Sequence, residues 1–195
     1  SKHSLLGLVQ QIAHLQRQGL QLLLVSSGAV ATGRDILGEK DPSPTKQTFA
    51  SIGQVKLMQI WSELFSLFDL QVGQVLLTRE DFSSCKRQAT RDTLSCLLQH
   101  NIIPIINEND TVATKELCVG NNDKLAALVA NAIAADAVIP LTDQDGLYTA
   151  DPRLNSDAQL IPLVHQIDEK IYALAGGSST SLGTGGMATK IEAAE

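Results

Sequence analysis

Leu5, Leu8/Val9, Ile12 and Leu15 recur at helical spacing, with Gln10, Gln11, Gln16 and Arg17 between them. Gly19 is placed to end that helix. The pattern then changes. Leu20-Gln21-Leu22-Leu23-Leu24-Val25 is a nearly continuous apolar run bounded by Gly19 and Ser26, which predicts a strand buried on both faces, as in a parallel sheet. Ser26-Ser27-Gly28-Ala29 follows at its carboxyl end, then a short helix to about Leu37. Two prolines and mixed charge make Glu39 to Thr45 a loop. From Lys46 to about Phe68, the set Phe49, Ile52/Gly53, Leu57, Ile60/Trp61, Leu64 and Phe65/Phe68 predicts a long amphipathic helix, its aromatic residues packing in a core or subunit contact.

The alternation continues. Val72 to Thr78 predicts a strand, Arg91 to His100 a helix, Ile102 to Asn107 a strand and Asn122 to Ala135 an Ala-rich helix. Ala137-Val138-Ile139-Pro140-Leu141-Thr142 reads as a further strand, with Pro140 marking an edge or bulge because it cannot donate to a ladder. Connections too long for hairpins predict an α/β fold with a mainly parallel central sheet sandwiched by helices. A chain of 195 residues fits one domain, residues 1–195.

Composition narrows the function. A formal charge of −6, with no run of Lys or Arg longer than two, excludes a nucleic-acid surface at this domain. Cys85, Cys96 and Cys118 form no C-x-x-C pair and no metal spacing, which fits a reducing cytoplasm rather than a disulfide framework. No apolar stretch approaches the roughly 18 residues of a membrane span. His3, His14, His100 and His165 are scattered, as surface or core residues are.

The polar clusters carry the chemistry. Gly183-Thr184-Gly185-Gly186-Met187-Ala188-Thr189-Lys190 reads as a Gly-rich turn opening a helix, where backbone N–H groups at the positive end of the dipole suit phosphate. Lys190 adds a mobile point charge that can follow a phosphoryl group. Small residues at Ser26 to Ala29 let N–H groups approach an anion, although a plain helix cap has the same composition. Asn107-Glu108-Asn109-Asp110 and Gly120-Asn121-Asn122-Asp123 offer acceptors for an ammonium and donors for a carboxylate. Two Asx turns are the bland alternative, but one shared amino-acid ligand is more economical.

On that reading Asp110 is the ammonium partner, Asn107 and Asn122 hold carboxylate or amide groups, and Asp123 orients a lysine. No His joins these carboxylates, which weakens a protein-held metal. Asp143-Gln144-Asp145-Gly146 lacks the remaining ligands of a calcium loop. Thr142-Asp143, with Gly146-Leu147-Tyr148 and Asp151-Pro152-Arg153 beyond, suits the base and ribose of a nucleotide. Ligands of open parallel sheets sit beyond the carboxyl ends of the strands, where these segments fall and are expected to converge. A phosphate cradle with an amino-acid cradle points to a small-molecule kinase.

Five ordered segments carry a resemblance: Ser26 to Arg34, Ile106 to Asp110, Val119 to Asp123, Leu141 to Arg153 and Gly183 to Lys190. They resemble those of the bacterial glutamate 5-kinases, within the amino acid kinase superfamily, along essentially the whole chain. The resemblance implies the amino acid kinase fold and the first step of proline biosynthesis, in which ATP, with Mg²⁺, phosphorylates L-glutamate to L-glutamyl 5-phosphate. It implies glutamate binding by Ser27, Asp110 and Asn122, with Asn107 beside them. It implies ATP binding by Thr142, Asp143, Thr184, Gly185, Gly186, Met187, Ala188, Thr189 and Lys190, with Lys190 and Asp123 as the catalytic pair. Feedback by proline and a homo-oligomer, dimer or tetramer, are implied as well.

The family also carries an opening strand with a Gly-rich loop and phosphate lysine, closing strands and a C-terminal PUA domain, none of which falls within these residues. Ser83 to Thr90 and Pro42 to Lys46 are shorter than the family pattern. Two rivals stay open: a sister kinase acting on aspartate, acetylglutamate, carbamate or UMP, and a regulatory module that senses an amino acid without catalysis. A Rossmann dehydrogenase is disfavoured, because no G-x-G-x-x-G follows a strand.

Overall fold

A computed structural model describes residues 2–38, 45–114, 116–175 and 186–195. The expected loop at 39–44, and Thr184 and Gly185 of the phosphate turn, lie outside the described residues. The single domain expected from length divides into two compact units, Ser1–Val119 and Gly120–Glu195.

The first unit is built on a three-stranded parallel sheet in the order β1-β3-β2, with β1 at Leu24–Val25, β2 at Gln71–Leu77 and β3 at Ile102–Glu108. The central strand is the apolar one. Ile103, Pro104, Ile105 and Ile106 of β3 are buried, as a strand hydrogen-bonded on both sides and covered on both faces requires. Leu24 pairs with Ile105, and Gln71 with Ile102, so all three strands run the same way. Their carboxyl ends therefore share one edge.

Among the described residues this unit has four α-helices: α1 at Lys2–Arg17, α2 at Ala29–Leu37, α3 at Lys46–Ser66 and α4 at Arg87–Gln99. Gly19 stops the first as its spacing predicts, with φ +89. Val9 of α1 and Leu57, Trp61, Leu64 and Phe65 of α3 form one core with Ile103 and Ile105. Strand side chains alternate faces, so Gly73, which pairs with Pro104, opens on the opposite side. There Leu97 of α4 fits, and a Cβ on Gly73 would lie 3.1 Å from it. Helices thus cover both faces of the sheet.

The contact between α2 and α3 is the closest in the unit. A Cβ at Gly33 would sit 1.9 Å from the carbonyl oxygen of Phe49, and one at Gly53 would sit 1.7 Å from that of Ala29. The two backbones touch, which only glycine permits at these positions.

In the second unit α5 spans Asn122–Ile133, α6 Glu169–Ala175 and α7 Met187–Ala194. Leu125, Val129 and Ala132 of α5 and Ile191 of α7 are buried apolar residues of this unit. Ala134, left-handed at φ 54, ends α5. Between α5 and α6, Leu147 to Thr149 meets Gln159 to Ile161 through a bridge of Tyr148 with Leu160 and two flanking backbone bonds.

One expected element is absent. Ala137 to Thr142 carries no strand pairing among the described residues, and Val138, Ile139 and Leu141 are exposed. An apolar run is compatible with a strand but supplies no partner, and Pro140 has no N–H to give a ladder. The first strand is also shorter than its apolar run, because only Leu24 and Val25 pair with β3.

Gly53→Ala is expected to destabilise the protein by about 1–3 kcal/mol, near the top of the overpacking range because backbone would have to move. Exposed Gly7, in the interior of α1 with nothing within 4 Å of a Cβ, is the control: Gly7→Ala should stabilise by about 0.5–1 kcal/mol. Urea unfolding of both variants checks the contrast.

Candidate functional site

Three expected residues of the first unit, Ser27, Asn107 and Asp110, lie at the carboxyl ends of β1 and β3. β1 ends at Val25, and Ser26 still donates its N–H to Ile106 O at 2.8 Å before the chain turns into α2. Ser27 is exposed there, and Gly28, left-handed at φ 109, starts the helix with no side-chain cap. Asn107, near the end of β3, is buried. Its Nδ2 donates to Gln54 Oε1 at 3.0 Å, and its Oδ1 accepts the Glu108 N–H at 2.9 Å. The amide of Asn107 is thus bound inside the fold and braces the edge. Asp110, just beyond, forms an ion pair with Lys46 at 2.9 Å.

Four residues of this edge were not singled out as site residues by the sequence, although Trp61 was read as core packing and Glu108 fell within a polar cluster. Trp61 Nε1 donates to Ser26 Oγ at 3.0 Å, tying α3 to the tip of β1. Gln54 performs the same service at β3, and its Nε2 is a buried donor with no hydrogen-bond acceptor among the described residues. Buried donors of that kind ordinarily meet water or ligand. Glu108 is buried, accepting from the Val119 N–H and from Cys118 Sγ, the latter at 3.3 Å, so Cys118 touches the edge through a carboxylate. Lys46 was visible only as a lysine at the start of a helix. Its signal is that a cation there opposes the helix dipole.

The bond to Asp110 raises the Lys46 pKa above its ordinary 10.5, against a smaller opposing effect of burial, and the Asp110, Cys118 and Glu108 charges act in the same upward direction. The ammonium is therefore fully charged at neutral pH.

The second unit holds the other cluster. Asn121 caps α5, its side chain accepting the Lys124 N–H at 2.8 Å, which leaves Asn122 and Asp123 in the first turn. Asp123 Oδ2 lies 3.1 Å from Lys190 Nζ and 2.9 Å from Thr189 Oγ1. Thr189 Oγ1 is also 2.8 Å from Gly186 O, and its single proton serves one acceptor at a time. A second pair, Lys124 with Glu192 at 2.6 Å, joins the same two helices. The lysine of the phosphate turn is thus held by the aspartate expected to orient it.

Gly186 starts α7 without a side-chain cap. Met187, the first helical residue, lines a shallow hollow with Leu147, Tyr148, Ala150, Asp151 and Pro152. Gln144 and Leu174 complete the lining, which is mainly apolar with one tyrosine ring, one amide and one carboxylate. Arg153 holds Asp151 from the same turn, with Nη2 and Nε both within hydrogen-bond distance. Thr142 and Asp143 are exposed in the segment leading to this hollow and do not line it. Ala188 is half-buried in α7. Among the described residues, no three His, Cys, Asp or Glu side chains gather as a metal cage. Mg²⁺ held mainly by nucleotide phosphates needs only one or two carboxylates. No described helix is long and apolar enough to cross a membrane.

This fold, with a strand-edge cluster and a lysine on a Gly-started helix, is that of an amino acid kinase. The amino acid kinase family model matches residues 1–195, and the chain belongs to that family. Among curated relatives, the glutamate 5-kinases of Haemophilus influenzae (strain PittGG) and Pasteurella multocida (strain Pm70) are each 50% identical over 98% of this chain and 53% of their own length. That of Escherichia coli O1:K1 / APEC is 50% identical over 96% of the chain and 52% of its own. The chain spans about half the length of the curated relatives it matches. Aspartate kinase from Synechocystis shares the fold, with a TM-score of 0.57 and 18% identity over 83% of this chain and 29% of that one.

Asn121→Ala is expected to cost about 1 kcal/mol through loss of the α5 cap, and Asn121→Asp far less; thermal unfolding of the two variants decides. Because the Lys46 pKa is raised on folding, its contribution is complete below 10.5 and disappears as pH climbs through the higher folded value. With the lysine largely exposed, the stability difference between the parent and Lys46→Met should be small, hold constant from pH 7 to 10 and shrink only in stronger alkali. Denaturant titrations across that range test it.

Proposed function

We propose that the protein containing this chain phosphorylates the side-chain carboxylate of L-glutamate from ATP, giving L-glutamyl 5-phosphate and ADP. Half-identity to glutamate 5-kinases across nearly the whole chain supports the reading. The geometric observation that carries it is Lys190, fixed by Asp123 at 3.1 Å on a helix that begins at Gly186.

The roles follow from charge. In the first unit Ser27 and the N-terminal turn of α2 offer donors to the amino acid, Asp110 accepts from its ammonium and Asn107 braces the edge; in the second unit Asn122 is the amide assigned to a carboxylate. The acceptor carboxylate, with an ordinary pKa of about 4.3, is already ionised at pH 7 and needs no general base. What remains is alignment and neutralisation of the moving phosphoryl group.

Lys190 supplies that charge, together with the N–H groups of Gly186 to Thr189. Thr184 and Gly185, outside the described residues, are assigned to the same ATP-binding segment. Asp123 prevents Lys190 from swinging into solvent. The hollow beside Tyr148 and Met187 takes the adenine, with Thr142 and Asp143 toward the ribose. Mg²⁺ arriving on the nucleotide would neutralise phosphate charge. Cytoplasmic location, inhibition by proline and assembly into a homo-oligomer belong to the same proposal.

Removing one preorganised donor typically costs about 2.7–4 kcal/mol of barrier, a factor of about 10²–10³. Lys190→Ala should lower turnover by that factor while leaving the glutamate KM within a few-fold. Glutamate-dependent ADP release by the intact protein, with aspartate as the comparison, is the test. Near-parental turnover of the variant, or equal use of aspartate, would overturn the assignment.

A further inference from the structure

The ion pair of Lys46 with Asp110 is hard to explain as a stabilising device. Lys46 is the first residue of α3, where a cation meets the positive end of the helix, and no acidic residue shares that first turn. The lysine side chain is 59% exposed and the aspartate 14%. Pairs with so exposed a partner contribute little to folding. A position that violates a local rule without a folding gain is a candidate for function.

What the pair does provide is an ammonium and a carboxylate 2.9 Å apart at the edge where Asp110 follows β3. An α-amino acid carries the same two charges on one carbon, in the complementary sense. We propose that Lys46 binds the substrate's α-carboxylate while Asp110 binds its α-ammonium, so that the pair reads the zwitterion and leaves the side-chain carboxylate to react. The assignment rests on the role given to Asp110 above.

The chemistry permits both contacts together. An ammonium has three donors, so Lys46 keeps its bond to Asp110 Oδ1 while offering another to the ligand, and an ionised carboxylate accepts several hydrogen bonds at once. The raised Lys46 pKa keeps that donor charged at neutral pH. The contact between α2 and α3 at Gly33 and Gly53 holds the helix that bears it. Lys46 then sets specificity: molecules lacking the α-carboxylate lose its contact, and those lacking the α-ammonium lose that of Asp110.

The test uses the intact protein with L-glutamate as varied substrate. Glutarate, without the ammonium, and γ-aminobutyrate, without the α-carboxylate, serve as competitive inhibitors. Loss of a charge-assisted bond predicts that Lys46→Met raises the glutamate KM roughly ten- to hundredfold, more than it lowers turnover. The inhibition constant of γ-aminobutyrate should scarcely move. Lys46→Arg should recover most of the affinity, and Lys46→Gln serves should the methionine variant fail to fold.

An unchanged KM overturns the proposal. So does a lowered one, which would make Lys46 a stand-in that competes for Asp110, and so does equal weakening of glutamate and γ-aminobutyrate. Parental protein with no glutamate-dependent ADP release overturns the functional reading instead. The comparison is then run on whichever α-amino acid protects the protein against thermal unfolding, against its decarboxylated amine, and judges Lys46 independently.

Discussion

Two glycines allow one helix to organise the whole strand edge. At Gly33 and Gly53 the backbones of α2 and α3 are in contact, and any Cβ would collide with a carbonyl rather than a movable side chain. With that helix seated, Lys46, Gln54 and Trp61 point in one direction, since they fall within about 80° of one another around its axis. Lys46 reaches Asp110 and Gln54 reaches Asn107, both at the carboxyl end of β3, and Trp61 reaches Ser26 after β1. The polar loops after β1 and β3 are thus bound to a common support instead of depending on their own turns.

Electrostatics organise the second unit in a comparable way. Asp123 lies in the first turn of α5, where a carboxylate is favoured by the dipole. From there it takes Lys190 and Thr189 of α7 at once. Lys190 needs that restraint, because a lysine on a four-carbon stem otherwise samples many positions. Placing a side chain before reaction removes the reorganisation that would otherwise slow a phosphoryl transfer. Lys124 and Glu192 repeat the linkage one residue further along α5 and two along α7.

Helices and strands with a strong period were legible from the pattern alone. The long helix from Lys46 begins where its periodicity places it, and the apolar Ile102 to Asn107 run became the buried centre of the sheet. Ala137 to Thr142 was not legible, since a run of apolar residues states a preference for burial and nothing about which strand will pair with it. The same limit applied at the edge. Asp110 and Asn107 look alike in sequence, yet one meets an exposed lysine and the other is bound within the fold.

By itself, then, the order of residues determined the α/β alternation and the family, and it supplied the candidate groups proposed for an amino acid and a phosphate. Those properties are local: periodicity, short motifs and side-chain chemistry. Only the tertiary structure decided that Lys46 stands against Asp110, that Gln54 and Trp61 brace the strand tips, and that Asp123 holds Lys190. Contacts between residues far apart along the chain depend on how helices pack, and here that packing turns on two positions where a side chain is missing.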